Sequence, residues 1–170
     1  LHNAITEPQK LLARQIMELW SKQAGFVARE TSSSGLQIVT GDIRAVSPKM
    51  PPNAAAGIAG GGKAIVNGNA DYGASEYGGT WFNIAIHEIG HALGLPHSYD
   101  AVSVMGSAGG EDPTSTAPGR EPIYPTGVDI VNIQRIRPPN ATDIDMYQFT
   151  LTQEGKFSAE TVAERVTSNL

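Results

Sequence analysis

The sequence predicts an α+β layered domain, and three observations carry that prediction. A stretch of helical period opens the chain. Short β-prone segments, broken by Gly, Ser and Pro, come next, and two further helical stretches flank a loop rich in Gly, Pro, Ser and Thr. Strands followed by long helices, with no internal repeat, are built as layers around one core. The 170 residues suffice for one domain with a sizeable core and a fragment of a second.

Taken in order, Glu7 to Ala24 reads as an amphipathic helix. Thr6 is placed to cap it, Pro8 falls in its first turn, and Leu12, Ile16, Leu19 and Trp20 make the buried stripe. Gly25 ends it. Residues 26–29 and 36–39 read as short strands around a Thr-Ser-Ser-Ser-Gly turn. The Pro/Ala/Gly stretch 48–62 has weak strand character at residues 54–59, and 63–67 reads as a firmer strand before the Asn67-Gly68-Asn69 turn. Residues 80–93 form the second helix, with Trp81, Ile84, Ala85, Ile89 and Ala92 as packing positions. Residues 107–125 are loop. Thr126 caps a third helix with Asp129 at the capping-box position, and Pro138-Pro139 stops it.

The second helix carries the chemistry. Three of the four histidines fall in His87-Glu88-Ile89-Gly90-His91-Ala92-Leu93-Gly94-Leu95-Pro96-His97. On a helix, residues four apart project from one face about a turn apart, so His87 and His91 can reach one metal ion. Glu88 sits one position round, placed to meet a metal-bound water without ligating the metal. Gly94 can take the left-handed conformation that ends a helix, which lets the chain turn back and present His97 as a third ligand. Three neutral nitrogens leave the fourth tetrahedral position open, as catalytic zinc requires. Leu93 and Leu95 read as core, with Ile86 and Ile89 packed beneath the site.

Composition narrows the partners. A net charge of −5 argues against nucleic acid or an anionic membrane, and no apolar run is long enough to span a bilayer. The absence of cysteine removes disulfides and thiolate ligands. Neither an initiator Met nor a signal-peptide pattern stands at Leu1, so the chain reads as a processed or excised piece.

The extended motif resembles that of the metzincin metalloproteases. These enzymes carry a methionine turn beneath the zinc, and Ser103-Val104-Met105-Gly106 stands in that place, Met105 lying eight residues after His97. This spacing, the pair His97-Ser98 and the order of elements are most similar to the matrixins. The resemblance covers roughly residues 1–139, and its specific part is residues 87–105. It implies a small twisted mixed sheet, three main helices, zinc on the second helix and the methionine turn below. Departures narrow the match. Ser107 stands where astacins and serralysins have a Tyr, no histidines supply the structural zinc site of matrixins, and no cysteine is present for a cysteine switch. Matrixins also begin with a strand ahead of the first helix, and few residues precede Thr6.

What the resemblance implies is a secreted zinc endopeptidase acting on protein or peptide substrates. Zinc would acidify its bound water and polarise the scissile carbonyl. Glu88 would act as general base and pass the proton to the leaving amine. Met105 would pack the floor of the site, and Tyr124 is the candidate wall of the specificity pocket. Residues 54–59 are the candidate rim for an extended substrate, or else a plain Gly/Ala loop. Asn67, Asn69, Asp71 and Glu76 offer oxygens near a turn where related enzymes hold Ca²⁺, although so few donors fit a solvated polar turn better. Two other functions stay open: a non-catalytic extracellular binding module that keeps zinc for structure, and a zinc amidase for non-peptide substrates. Beyond Pro139, residues 143–152 resemble the first strand of the β-sandwich modules appended to secreted bacterial proteases; the alternative is an extension packed back on the domain. Asn140-Ala141-Thr142 matches a glycosylation sequon.

Overall fold

A computed structural model describes residues 3–100, 103–106 and 123–137. His2, Ser107, the greater part of the 107–125 loop, the Asn140 sequon and the 143–152 strand lie outside the described residues. Among the described residues the fold is three α-helices and a small mixed sheet, as the sequence predicts.

Helix α1 spans Glu7–Ala24, with Thr6 as its N-cap and Gly25, at φ 67°, closing it in the left-handed conformation. Its cap is reciprocal: Gln9 N–H donates to Thr6 Oγ1, and Thr6 N–H donates to Gln9 Oε1 at 3.0 Å, so two otherwise orphaned donors are satisfied. Leu12, Ala13, Ile16, Trp20 and Ala24 are its buried stripe. Helix α2 spans Thr80–Leu93 and α3 spans Gly127–Ile136.

Strands β1 (Gln37–Gly41), β2 (Gly57–Gly60) and β3 (Lys63–Asn67) form one sheet in the order β1-β3-β2. β1 runs parallel to β3, with Gln37 opposite Lys63. β2 runs antiparallel to β3, with Gly57 opposite Val66. Strand character in the Ala/Gly stretch therefore falls a few residues later than the 54–59 expected. No strand forms at residues 26–29, which have no strand partner among the described residues, and a strand is stable only where its backbone groups pair.

Ala64 and Val66 of β3 face the main core with Ile16, Trp20, Trp81, Phe82, Ile86 and Ile89. Ile65 points to the other face, where Ile43, in the short 3-10 turn Ile43–Ala45, is also fully buried. Polar ties fix the layers. Trp81 Nε1–H donates to Thr40 Oγ1 at 3.0 Å, and that hydroxyl donates to Gln9 Oε1 at 2.9 Å, which links α2, β1 and α1. Trp20 Nε1–H donates to the Ile86 carbonyl at 3.2 Å, pinning α1 to the middle of α2. No helix among the described residues is long and apolar enough to cross a membrane.

Candidate metal centre

The last two turns of α2 present His87 and His91, and the turn that follows presents His97. Gly94, at φ 109°, ends the helix, and its N–H donates to the Gly90 and His91 carbonyls. Leu95 N–H also returns to the Gly90 carbonyl, at 3.0 Å. This closure satisfies the terminal carbonyls and reverses the chain within three residues of His97.

The three imidazoles converge on one point. Nε2 of His91 lies 3.0 Å from Nε2 of His87 and 3.1 Å from Nε2 of His97, and the third separation is 3.3 Å. At the usual Zn–N bond length, nitrogens at the corners of a tetrahedron lie about 3.3–3.4 Å apart, so this triangle is close to the one zinc imposes. The tautomers agree with that reading. Nδ1–H of His87 donates to the Val104 carbonyl at 2.7 Å, and Nδ1–H of His91 donates to the Leu95 carbonyl at 2.8 Å. A neutral ring that donates from Nδ1 carries a bare lone pair at Nε2. Two such lone pairs cannot satisfy each other at 3.0 Å, and a cation between them resolves the conflict. Burial also holds the pKa of both His87 and His91 below the usual histidine value, which favours the neutral, ligating form. Among the described residues, these three histidines are the one group able to share a metal ion.

Glu88 is 7 % exposed. Burial pushes its carboxyl up to about 7, and no hydrogen bond to it is formed by the described residues. A buried carboxyl held near neutrality, next in sequence to His87, has the titration range of a group that exchanges protons.

Below the histidines lies Met105, itself fully buried. A Cβ built on Gly90 would run into the Met105 sulfur and would stand 3.1 Å from the Trp20 ring. Glycine at this position is therefore what lets the methionine pack directly under the helix. The segment is tied back to the third ligand, since Ser98 N–H donates to the Met105 carbonyl at 2.7 Å and Ser98 bridges Gly106.

Asp129 proves to have a second role besides its cap. From α3 its carboxylate accepts from the Ser103 hydroxyl, from Val104 N–H at 3.1 Å and from Met105 N–H at 3.4 Å, as well as from Thr126 N–H at 2.8 Å and the Thr126 hydroxyl at 2.9 Å. It is fully buried. One carboxylate thus holds the start of α3 and the methionine turn together. The sequence offered a faint signal for this, a short Asp where a capping box ordinarily has Glu.

Other expected residues make contacts of their own. Tyr124 packs on Tyr77, ring centroids 6.3 Å apart, and Tyr77 lies 4.6 Å from Phe82 in the first turn of α2. The described contacts do not bring Tyr124 to the histidines. Asn67 and Asn69 spend their side-chain amides on the Pro52 and Ala55 carbonyls of the segment before β2, and the Asp71 carboxylate accepts from Gly73 N–H within its own turn. A cavity of about 950 Å³ opens between α1, residues 26–36 and the outer edge of β1, but none of the three histidines lines it.

Comparison with known proteins agrees with this geometry. A family model described as Matrixin matches residues 14–117, more than half of the chain and all of the histidine triad and methionine turn. No curated protein matches the chain.

Proposed function

Because the chain belongs to the matrixin family, we propose that it is a zinc-dependent endopeptidase whose general base is Glu88. The observation that carries the proposal is the convergence of three Nε2 atoms within 3.3 Å of one another, with the buried Glu88, which accepts no hydrogen bond from the described residues, next in sequence to one of them. His87, His91 and His97 would hold the metal through Nε2. Bound there, zinc supplies a Lewis acid for the scissile carbonyl and makes water nucleophilic near neutral pH.

The protein's own groups do the rest. Glu88 accepts the proton of the attacking water and returns it to the amine nitrogen as the peptide bond breaks. The Val104 and Leu95 carbonyls keep His87 and His91 in the ligating tautomer and orientation. Met105 and Gly90 give the site an apolar, close-packed floor that resists displacement. An extended substrate pairs with the outer edge of β2, which lies at the margin of the described sheet. Tyr124 remains our candidate for a wall of the specificity pocket. Secretion, the other part of the reading, rests on the family resemblance.

The test is direct. Wild type and Glu88→Ala are incubated with a denatured protein and a peptide library, with and without a chelator. Wild type should cleave, the chelator and the substitution should each abolish cleavage, and Glu88→Ala should still bind about one zinc, since the carboxylate is not a ligand. Equal cleavage by the two proteins contradicts the mechanism. Cleavage of other amides but of no peptide favours the amidase.

A further inference from the structure

Asn67, at the end of β3, reads in the sequence as part of a polar turn, but the structure buries it to 2 % exposure. Its Nδ2 donates both hydrogens, to the Pro52 carbonyl at 2.7 Å and the Ala55 carbonyl at 2.8 Å. Its Oδ1 accepts from Asn69 N–H at 3.0 Å, and its own N–H donates to the Ala56 carbonyl at 2.8 Å. Asn69 Nδ2 adds a bond to the Pro52 carbonyl, and the Tyr72 hydroxyl adds one to Ala56. All the donated bonds but the one inside the turn fall on residues 52–56, the segment that runs straight into β2.

The next residue meets the site. A Cβ at Gly57 would stand 2.7 Å from Glu88 Cγ, 2.8 Å from Glu88 Oε1 and 2.8 Å from Ile84 Cγ2. The backbone at Gly57 therefore rests on Glu88 itself. The Asn67 to Ala56 bond sets the alternation of the antiparallel pair, so Ala56 and Ile58 point their backbone groups at β3 and Gly57 and Ala59 point theirs outward. The groups free to pair with a peptide thus begin one residue after the carbonyls that Asn67 clamps.

We infer that Asn67 is a positioning residue, which fixes the height and register of the substrate-pairing edge of β2 over Glu88. This rests on the endopeptidase reading. An amide is what the place requires. Asn67→Asp keeps the shape, but it replaces two donors with an acceptor facing two carbonyls, so the variant repels the segment it should hold. The loop before β2 then loosens and the edge presents its N–H and C=O groups over a spread of positions.

The experiment compares zinc-loaded wild type, Asn67→Asp and Asn67→Ala, with Thr6→Ala as a control that weakens a helix cap elsewhere. Steady-state kinetics are measured on an octapeptide and on the same peptide N-methylated at single backbone positions. Affinity for the octapeptide is measured by fluorescence anisotropy with each change placed in a Glu88→Ala background. Both Asn67 variants should raise KM and the Kd about tenfold, the worth of one or two hydrogen bonds, with kcat changed less than about threefold. They should also blunt the penalty for N-methylation, because the lost edge no longer reads the backbone. Thr6→Ala should do neither. An Asn67→Asp protein with wild-type KM and Kd, or with changes shared by Thr6→Ala, overturns this inference alone. A wild type that binds the peptide in an Asn67-dependent way but cleaves none overturns the endopeptidase reading and leaves the rim in place. A wild type that neither binds nor cleaves overturns both.

Discussion

At position 90 a hydrogen atom is all the side chain that the site admits. Gly90 sits inside α2, where glycine by itself costs about 1 kcal/mol relative to alanine, so packing has overridden propensity. Gly90→Ala should reverse the usual gain: its methyl meets the Met105 sulfur and the Trp20 ring, and overpacking of this kind costs about 1–3 kcal/mol. Urea unfolding checks it, with a lower midpoint at unchanged slope as the expected result. Asp129 is the second residue-scale test. Asp129→Ala leaves the Ser103 hydroxyl, the Thr126 N–H and hydroxyl and the Val104 amide without the carboxylate they donate to, while Met105 N–H keeps Ser103 Oγ, and should cost about 3–5 kcal/mol. Because the turn it holds carries the carbonyl that orients His87, zinc affinity measured by competition with a chromophoric chelator should fall about 10- to 100-fold. The ligands and Glu88 were legible in the sequence because their spacing is a local, helical fact. The parts of Gly90, Asp129 and Asn67 were not, since each depends on a partner brought close only by the fold.

The elements show the same division between local and distant causes. Helix α1 begins and ends where its caps and periodicity place it, and α2, which has no side-chain cap at Gly79, is set by its periodicity and by the left-handed Gly94 that ends it, because these signals act within a few residues. The strands were read less well. Residues 26–29 have strand-like composition but no strand partner among the described residues, while Gly57–Gly60 has poor β propensity yet pairs because β3 and the Asn67 bonds hold it there. The helix end beneath the third ligand gives a clean test. A Cβ at Gly94 would touch Ile136 Cγ2 at 3.5 Å, an ordinary contact, so Gly94→Ala adds conformational strain without a clash. A loss of about 1 kcal/mol in metal-free protein is expected by thermal unfolding. Any larger loss when zinc is present measures how far the reversal at Gly94 serves His97.

Across the whole molecule, one helix joins the core to the chemistry. The inner side of α2 packs Trp81, Phe82, Ile86 and Ile89 into the core, and the same helix carries His87, Glu88 and His91 to the site. Metal and fold should therefore be linked. At free zinc a hundredfold above its dissociation constant, the native state should gain about 2.7 kcal/mol, and a chelator should remove that gain reversibly. The overall α+β class was readable from the order of elements, and the centre from eleven consecutive residues. The cleft's rim and floor needed contacts spanning the chain. The most direct test of the central claim is a zinc titration of metal-free wild type, Glu88→Ala and His91→Ala, following bound metal and peptide cleavage in the same samples. Wild-type cleavage should rise in step with bound zinc and saturate at about one equivalent, Glu88→Ala should fill to the same level in silence, and His91→Ala should fail to fill. Cleavage by metal-free wild type, or full zinc occupancy and activity in His91→Ala, would contradict the claim.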